Sequence, residues 1–190
     1  MDRRERLSYL RRMETAVLGG GCFWCLEAVY QQMEGVESVE SGYMGGETPK
    51  PTYRDVCTGK SGHAEVVRVT FDPEVASFRE ILEVFFSIHD PTTPNRQGND
   101  VGTQYRSAIF YNSELQRSTA EQVIRELEAE RIWEDPIVTE LAAESTFYRA
   151  EAYHQDYFQN NPRQPYCSYI VAPKVKKFRE KFQSKLRRGA

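Results

Sequence analysis

Residues 15–33 have the sequence TAVLGGGCFWCLEAVYQQM, in which a short apolar run is followed by three glycines and then by two cysteines. The apolar run at 15–18 predicts a buried strand. From Cys22 onward, apolar residues recur at three- and four-residue steps, which predicts a helix over 22–33. Glycines let the backbone turn sharply between the two elements. Cys22 is therefore expected at the N-terminus of a helix that directly follows a buried strand.

The rest of the chain continues this alternation of strands and helices. Further strands are predicted at 36–43, 63–72, 105–112 and 137–141, and further helices at 77–88 and 113–131. Ser77 with Glu80 three residues on predicts a capping box at the start of the first of these helices. Loops are predicted at 42–53 and 90–102, where Gly, Pro, Thr and Asn are frequent. The order predicts an α+β fold: a two-layer split sheet with a βαββαβ ferredoxin-like core and extra C-terminal segments.

The length and the charge of the chain bound its class. A chain of 190 residues suits a single catalytic domain, expected at 16–190 after a charged N-terminal arm at 1–15. A net charge of −3 argues against nucleic acid as a partner, and no apolar run is long enough to cross a membrane. The arm has no apolar segment of a secretion signal. We therefore expect a cytoplasmic monomer whose basic segment at 174–188 is a solvated helix face.

The predicted turn at Cys22 carries a chemical implication. A cysteine at a helix N-terminus lies among unpaired N–H groups and the positive end of the helix dipole, which stabilise the reactive thiolate. Phe23 and Trp24 follow it, and such aromatics either belong to the core or form a pocket for a small apolar group such as a methyl. In a cytosolic protein, the C-x-x-C spacing of Cys22 and Cys25 indicates redox chemistry or metal binding.

Five blocks of the sequence resemble one known family, the peptide methionine sulfoxide reductases of the A type. The resemblance extends from about residue 16 to residue 178, and five blocks in the same order make it specific. The blocks are GCFWC at 21–25, GYMGG at 42–46, PTYRDVCTGKSGHAE at 51–65, QGNDVGTQYRSAIF at 97–110 and FYRAEAYHQDYF at 147–158.

The resemblance implies a nucleophile, a methyl pocket and an acid. The nucleophile maps onto Cys22 and the pocket for the S-methyl group onto Phe23 and Trp24. The acid maps onto Glu65, because a sulfoxide sulfur is a poor electrophile until its oxygen accepts a proton or strong hydrogen bonds. A carboxyl group in an apolar pocket has a raised pKa, so it stays protonated and donates. The implied reaction converts methionine (S)-sulfoxide, free or in proteins, to methionine and leaves a sulfenic acid on Cys22.

The resemblance also implies helpers of the acid. Tyr53 and Tyr105 are expected to donate hydrogen bonds to the sulfoxide oxygen, and Asp100 to orient the substrate or the site. Three further motif residues are expected to have structural roles: His63, Gln104 and His154.

Turnover requires a second thiol, and two candidates stay open. Cys25 lies one helical turn after Cys22, at a Cα separation within the usual disulfide range of roughly 5–6 Å. Many family members have Gly at that position and use a C-terminal cysteine, which corresponds to Cys167 here. We favour Cys25 for the first step, with Cys167 acting in its place or in series. Cys57 is expected to be a buried small residue. By resemblance, thioredoxin is the reductant, and neither a cofactor nor a metal is expected.

Three other classes compete with this interpretation. A general thiol–disulfide oxidoreductase would explain Cys22 and Cys25 but not the blocks around Glu65 and the two tyrosines. A zinc-binding or purely structural domain would use the four cysteines, although structural zinc sites usually have two close pairs of ligands. A degenerate family member kept as a binding module is disfavoured by the intact Cys22 and Glu65.

Overall fold

The computed structural model describes residues 13–187 as an α and β structure built on one large sheet. The strands are β1 Glu14–Gly20, β2 Val36–Met44, β3 Ala64–Phe71, β4 Arg96–Gln97, β5 Asp100–Val101, β6 Ser107–Tyr111, β7 Glu140–Ala143 and β8 Tyr148–Arg149. The helices are α1 Phe23–Tyr30, α2 Tyr53–Cys57, α3 Phe78–Ile88, α4 Glu114–Ala129, α5 Tyr157–Asn160 and α6 Ala172–Lys181. Single 3₁₀ turns lie at Thr103–Tyr105, Ala152–His154 and Gln183–Lys185, and a π-helical turn at Cys167–Val171 leads into α6.

The large sheet has the strand order β7-β6-β1-β3-β2-β8 and is antiparallel except for the β6–β7 pair. The mixed α and β class predicted from the sequence is confirmed. Because β1 runs antiparallel to both of its neighbours, the end of β1 lies beside the beginnings of β3 and β6, and Gly20 pairs with Ser107. The segments that follow β1 and precede β3 and β6 therefore meet at one end of the sheet.

The two faces of the sheet bury different clusters of side chains. Successive residues of a strand point to opposite faces. Leu18 and Val67 belong to the main core, which includes Leu82 of α3 and Phe178 of α6. Val17, one residue earlier than Leu18, packs in a smaller cluster on the other face. The main core thus lies between the sheet and the helices.

Helices α1 and α3 are joined by one buried hydrogen bond, which the Tyr30 hydroxyl donates to the carbonyl oxygen of Ile81 at 2.8 Å. The predicted capping box at the start of α3 is present. Glu80 N–H donates to Ser77 Oγ at 3.2 Å, and Ser77 N–H donates to Glu80 Oε2 at 2.9 Å. The capping box therefore satisfies two N–H groups at the start of α3, a helix that contributes much of the main core.

Several boundaries differ from the sequence predictions. Helix α1 is shorter than 22–33, β7 lies about three residues later than the predicted strand at 137–141, and the loop predicted at 90–102 contains β4 and β5. The two single-turn helices α2 and α5 and the two-residue strand β8 were not predicted, because elements this short show no periodicity. Residues 1–12, most of the predicted arm, lie outside the described residues. Within 13–187 no helix is both long and apolar enough to cross a membrane.

The capping box generates a test of this fold. Ser77→Ala should lower the free energy of unfolding by about 1 kcal/mol, because an N–H of the first turn of α3 loses its acceptor. Urea unfolding followed by circular dichroism measures the change. The matched control is Ser118→Ala in the middle of α4, where the exposed hydroxyl bonds only a carbonyl of its own helix; it should change stability by less than about 0.5 kcal/mol. Equal effects of the two substitutions would contradict the importance of the cap.

Candidate active site

The turn between β1 and α1 presents Cys22 at one end of the sheet. Gly21 has φ +88°, and a Cβ there would lie 2.6 Å from Cγ of Gln97, so only glycine fits. Cys22 is the residue immediately before α1, and it is 7% exposed. The predicted position of Cys22 at a strand-to-helix turn is therefore the observed one.

Glu65, the second residue of β3, places its carboxyl group against the start of α1. The side chain is 1% exposed, and its Oε2 accepts a hydrogen bond from the Phe23 N–H at 3.1 Å. Burial raises the pKa of Glu65 to about 8; the Phe23 N–H opposes this shift and the charge of Asp100 adds to it. At neutral pH the carboxyl group is therefore mostly protonated, which is the state that an acid requires.

The thiol of Cys22 is not a free thiolate in the substrate-free site. Burial raises its pKa, and the negative charges of Glu65 and Cys25 raise it further. Hydrogen bonds from the Trp24 N–H and the Tyr166 hydroxyl lower the pKa. The helix start thus stabilises the thiolate as the sequence predicts, but burial outweighs that contribution.

Tyr53 and Tyr105 lie beside Glu65, at the start of α2 and at the end of the 3₁₀ turn before β6. Both phenols are half-buried, and burial together with the charge of Glu65 raises the pKa of each. Their hydroxyl groups therefore keep their protons over the whole working pH range. The Tyr53 hydroxyl donates to the sulfur of Cys57, four residues further on.

Asp100 lies on β5 and accepts a 2.5 Å hydrogen bond from the Tyr166 hydroxyl. The same hydroxyl is also within hydrogen-bonding reach of Cys22 and Cys25. A phenol has only one proton to donate, so Asp100 and the two sulfurs compete for it. Tyr166 was not singled out from the sequence, because nothing local links it to Asp100.

The indole ring of Trp24 is enclosed by aromatic side chains from the C-terminal part of the chain. Its Nε1–H donates to Nδ1 of His154 at 3.1 Å, and the ring of Tyr157 stacks on it with centroids 3.7 Å apart and planes 5° apart. The edge of Tyr166 faces the indole at 5.7 Å. Burial lowers the pKa of His154, so the ring is neutral with its proton on Nε2. Phe23, which precedes Trp24, is fully buried.

Three further residues hold the backbone around these groups, of which His63 and Gln104 are buried and Glu151 is half-buried. His63 accepts from the Gly46 N–H at 3.0 Å and donates to the Thr48 carbonyl at 2.8 Å, which holds the loop after β2. Gln104 donates a long 3.5 Å bond to the carbonyl of Cys57. Glu151, which the sequence did not suggest, accepts from the Tyr53 N–H at 2.7 Å and from the Tyr43 hydroxyl at 2.8 Å.

All four cysteines are free thiols. Cys25 is buried on α1. Burial raises its pKa, and the negative charges of Asp100 and Cys167 raise it further. The charge of Cys25 in turn raises the pKa of Cys22, so Cys25 interacts electrostatically with both Cys22 and Cys167.

The prediction that Cys57 is buried is wrong: it ends α2 in an exposed position, and Val56 is the residue that this short helix buries. Among residues 13–187 no group of three or more His, Cys, Asp or Glu side chains can hold a metal ion.

Comparisons with known proteins agree on one family. A family model described as peptide methionine sulfoxide reductase matches residues 14–186. The peptide methionine sulfoxide reductase MsrA of Polynucleobacter asymbioticus is 59% identical over 175 residues, which cover 92% of each chain. Mxr1 from Saccharomyces cerevisiae in reduced form has a TM-score of 0.78 and 36% identity, over 83% of this chain and 90% of that chain. Mxr1 in complex with Trx2 has a TM-score of 0.55 and 26% identity, over 77% and 86% of the two chains.

A buried thiol with a protonated carboxyl group and two phenols around it fits the class of enzymes that use a cysteine nucleophile. Within that class, the chain belongs to the peptide methionine sulfoxide reductase family. The family resemblance inferred from the five sequence blocks is confirmed. Because the family is shown, the two alternative classes, a general thiol–disulfide oxidoreductase and a zinc-binding domain, do not describe this chain.

Glu65 raises the pKa of the Cys22 thiol and Tyr166 lowers it, so substitutions of these two residues should have opposite effects. At pH 9, Glu65→Gln should speed alkylation of Cys22 by iodoacetamide several-fold, because removal of the carboxylate charge lowers the pKa of the thiol. Tyr166→Phe should slow it, because the thiolate loses a hydrogen-bond donor. A shift of one pKa unit changes the thiolate fraction about tenfold.

Mass spectrometry of the Cys22 peptide gives the alkylation rate separately from the other thiols. Tyr169→Phe, which changes a 79% exposed tyrosine, is the matched control and should leave the rate unchanged. The electrostatic description of the site is wrong if both variants move the rate in the same direction.

Proposed function

We propose that this chain reduces methionine (S)-sulfoxide, free or in proteins, to methionine, with Cys22 as the nucleophile and Glu65 as the acid. Membership of the peptide methionine sulfoxide reductase family supports the reaction. The observation that carries the residue roles is the buried carboxyl group of Glu65, bonded to Phe23 N–H directly beside Cys22 and with a pKa of about 8. A carboxyl group in that state gives its proton to a substrate oxygen at neutral pH.

The chemical step transfers one oxygen atom. The sulfur of Cys22 attacks the sulfoxide sulfur while Glu65 protonates the oxygen, and the hydroxyls of Tyr53 and Tyr105 donate hydrogen bonds to it. The S–O bond to the substrate breaks, methionine leaves, and Cys22 becomes a sulfenic acid. The proton of the Cys22 thiol replaces the one that Glu65 gives up. Sulfur is oxidised on the enzyme and reduced on the substrate by the same two electrons.

The substrate is oriented by the aromatic rings of Phe23 and Trp24 and by the carboxylate of Asp100. In this proposal the pocket for the S-methyl group is formed by Trp24, which is partly exposed, together with Phe23, which is fully buried in the substrate-free protein; both are rigid apolar rings at the start of α1. Asp100, held by Tyr166 at 2.5 Å, aligns the rest of the methionine residue. The proximity of Tyr166 to Cys22 also makes its hydroxyl a donor to the developing thiolate.

Recycling begins with condensation of the sulfenic acid and a second thiol, which releases water and forms a disulfide. Cys25 is the first partner in this proposal because it lies one turn from Cys22 on the same helix and interacts with it electrostatically. The thiolate of Cys167 then attacks the sulfur of Cys25, which forms a Cys25–Cys167 disulfide and releases Cys22 as a thiol. Thioredoxin reduces the disulfide, a role that the complex of the relative Mxr1 with Trx2 supports.

We also propose a domain organisation, a cellular location and an oligomeric state for the enzyme. Residues 16–190 form one catalytic domain, with β1 beginning two residues earlier, and the protein is a cytoplasmic monomer that uses no metal or cofactor. Strands β6, β1, β3 and β2, with α1 and α3, are taken as its ferredoxin-like core. Their order and their antiparallel directions support that description.

The role of Glu65 as acid predicts a large loss of rate. Glu65→Gln should slow single-turnover reduction of methionine (S)-sulfoxide by about 10²–10⁴, and Cys22→Ser should abolish it. In the unsubstituted enzyme the rate should fall as pH rises through about 8, because Glu65 then loses its proton. The exposed isosteric change Glu114→Gln on α4 is the control. A full single-turnover rate for Glu65→Gln near neutral pH would remove the acid assignment.

The order of the recycling thiols predicts different intermediates in two variants. After one turnover, Cys25→Ser should accumulate a sulfenic acid on Cys22 that dimedone traps, because the first partner is missing. Cys167→Ser should still lose two thiols per methionine formed, but should turn over more slowly with thioredoxin. Sulfenic acid accumulating in Cys167→Ser and not in Cys25→Ser would reverse the proposed order.

A further inference from the structure

Glu27 is a buried carboxyl group on α1 that the chemistry above does not use. It lies one helical turn after Trp24 and is 1% exposed. Burying a carboxyl group is costly unless hydrogen bonds compensate it. The backbone donors that meet Glu27 come from a single short segment far along the chain, so its contacts indicate a specific role.

The donors are the backbone N–H groups of Asp156 and Tyr157. Asp156 N–H donates to Oε1 of Glu27 at 3.1 Å and Tyr157 N–H donates to Oε2 at 3.3 Å. Asp156 has left-handed backbone angles, φ 54° and ψ 31°, which a residue with a side chain adopts only when its surroundings hold it there. Gln31, the residue immediately after α1, donates to the Asp156 carboxylate at 2.6 Å.

The segment that Glu27 holds carries the ring that stacks on Trp24. Tyr157 lies parallel to the indole at 3.7 Å, and His154 accepts the indole N–H at 3.1 Å. Trp24 and Glu27 stand on the same face of α1, because residues three apart on a helix are neighbours. The carboxyl group and the indole therefore contact the same segment side by side.

We propose that Glu27 is a positioning residue, which fixes Tyr157 against Trp24 by holding the backbone of residues 156–157 and thereby sets the shape of the methyl pocket. The inference rests on the proposed role of Trp24 in that pocket. Glu27 does not touch the substrate, and its effect reaches the substrate only through the stacked pair. The group whose binding it tunes is the S-methyl of the sulfoxide.

The charge state of Glu27 gives this contact a pH dependence. Burial raises its pKa to about 7, the two N–H donors and the Ser41 hydroxyl of β2 oppose the shift, and the Asp156 carboxylate adds to it. The ionised form accepts from both N–H groups, whereas the neutral form has one oxygen occupied by a proton. The pocket should therefore be best ordered above pH 7.

Other titratable groups near Trp24 shift in different directions. Burial lowers the pKa of His154 and raises the pKa of Tyr166. Hydrogen bonds from Tyr53 and Tyr43 outweigh burial and lower the pKa of Glu151.

The test isolates Trp24 as an optical probe. The chain has two tryptophans, and Trp133→Phe leaves Trp24 as the only one. In that background, Glu27→Gln places an amide donor against one of the two N–H groups. It should increase acrylamide quenching of Trp24 and raise KM for methionine (S)-sulfoxide about five- to tenfold, with kcat within about twofold. Glu114→Gln is the matched control and should change neither quantity.

A second measurement follows the pH dependence of the same probe. Trp24 fluorescence of the Trp133→Phe protein should titrate with a pKa of about 7, and this transition should be absent in Glu27→Gln. Unchanged quenching and an unchanged titration in Glu27→Gln would overturn the inference. The methyl pocket itself is tested separately by Trp24→Ala: if its KM equals that of the unsubstituted enzyme, the pocket assignment fails, whereas the fluorescence result still decides the role of Glu27.

Discussion

The hydrogen bond from the Phe23 N–H to the Glu65 carboxyl group is the interaction on which the site depends. It joins the start of β3 to the start of α1 at 3.1 Å, inside a region that water does not reach. One backbone donor is too little to compensate a buried carboxylate, so the proton stays on the carboxyl group up to a pKa of about 8. The bond fixes the position of the carboxyl group at the start of α1, and burial, which outweighs the bond, keeps the group protonated. In the proposed reaction, this proton goes to the substrate oxygen beside Cys22.

A second constraint is the amount of negative charge that the pocket tolerates. Glu65, Asp100 and Cys25 each raise the pKa of a neighbour, so the site disfavours two ionised groups at once. In the proposed reaction the thiol loses its proton as the carboxyl group gives one up, which keeps the total charge constant. Tyr166 adjusts this balance, because its single hydroxyl proton serves either Asp100 or a sulfur. The Cys22 thiol is neutral in the substrate-free site. In the proposed reaction it can therefore attack only when Glu65 gives its own proton to the substrate oxygen and takes up the proton of the thiol.

The sequence predicted the parts of this arrangement that have local causes. The glycine triplet before an apolar helix predicted Cys22 at its turn, the Ser77–Glu80 spacing predicted a capping box, and alternation predicted β3, which carries Glu65. The C-terminal contributions had no local signal: Tyr166 reaches Asp100 across 66 positions, and Tyr157 reaches Glu27 across 130. They come from single turns and two-residue strands, which have no periodicity. Burial, and with it every pKa shift, also depends on that packing.

Carbon-13 NMR of the glutamate side-chain carboxyl groups measures the protonation of Glu65 in the folded protein. The resonance that disappears in Glu65→Gln identifies the group, and Glu27→Gln identifies the second buried carboxyl in the same way. We predict that the Glu65 resonance titrates with a pKa of about 8. A Glu65 resonance that titrates near the ordinary glutamate value of about 4.3 would instead show a carboxylate at neutral pH, and Glu65 could not then be the proton donor.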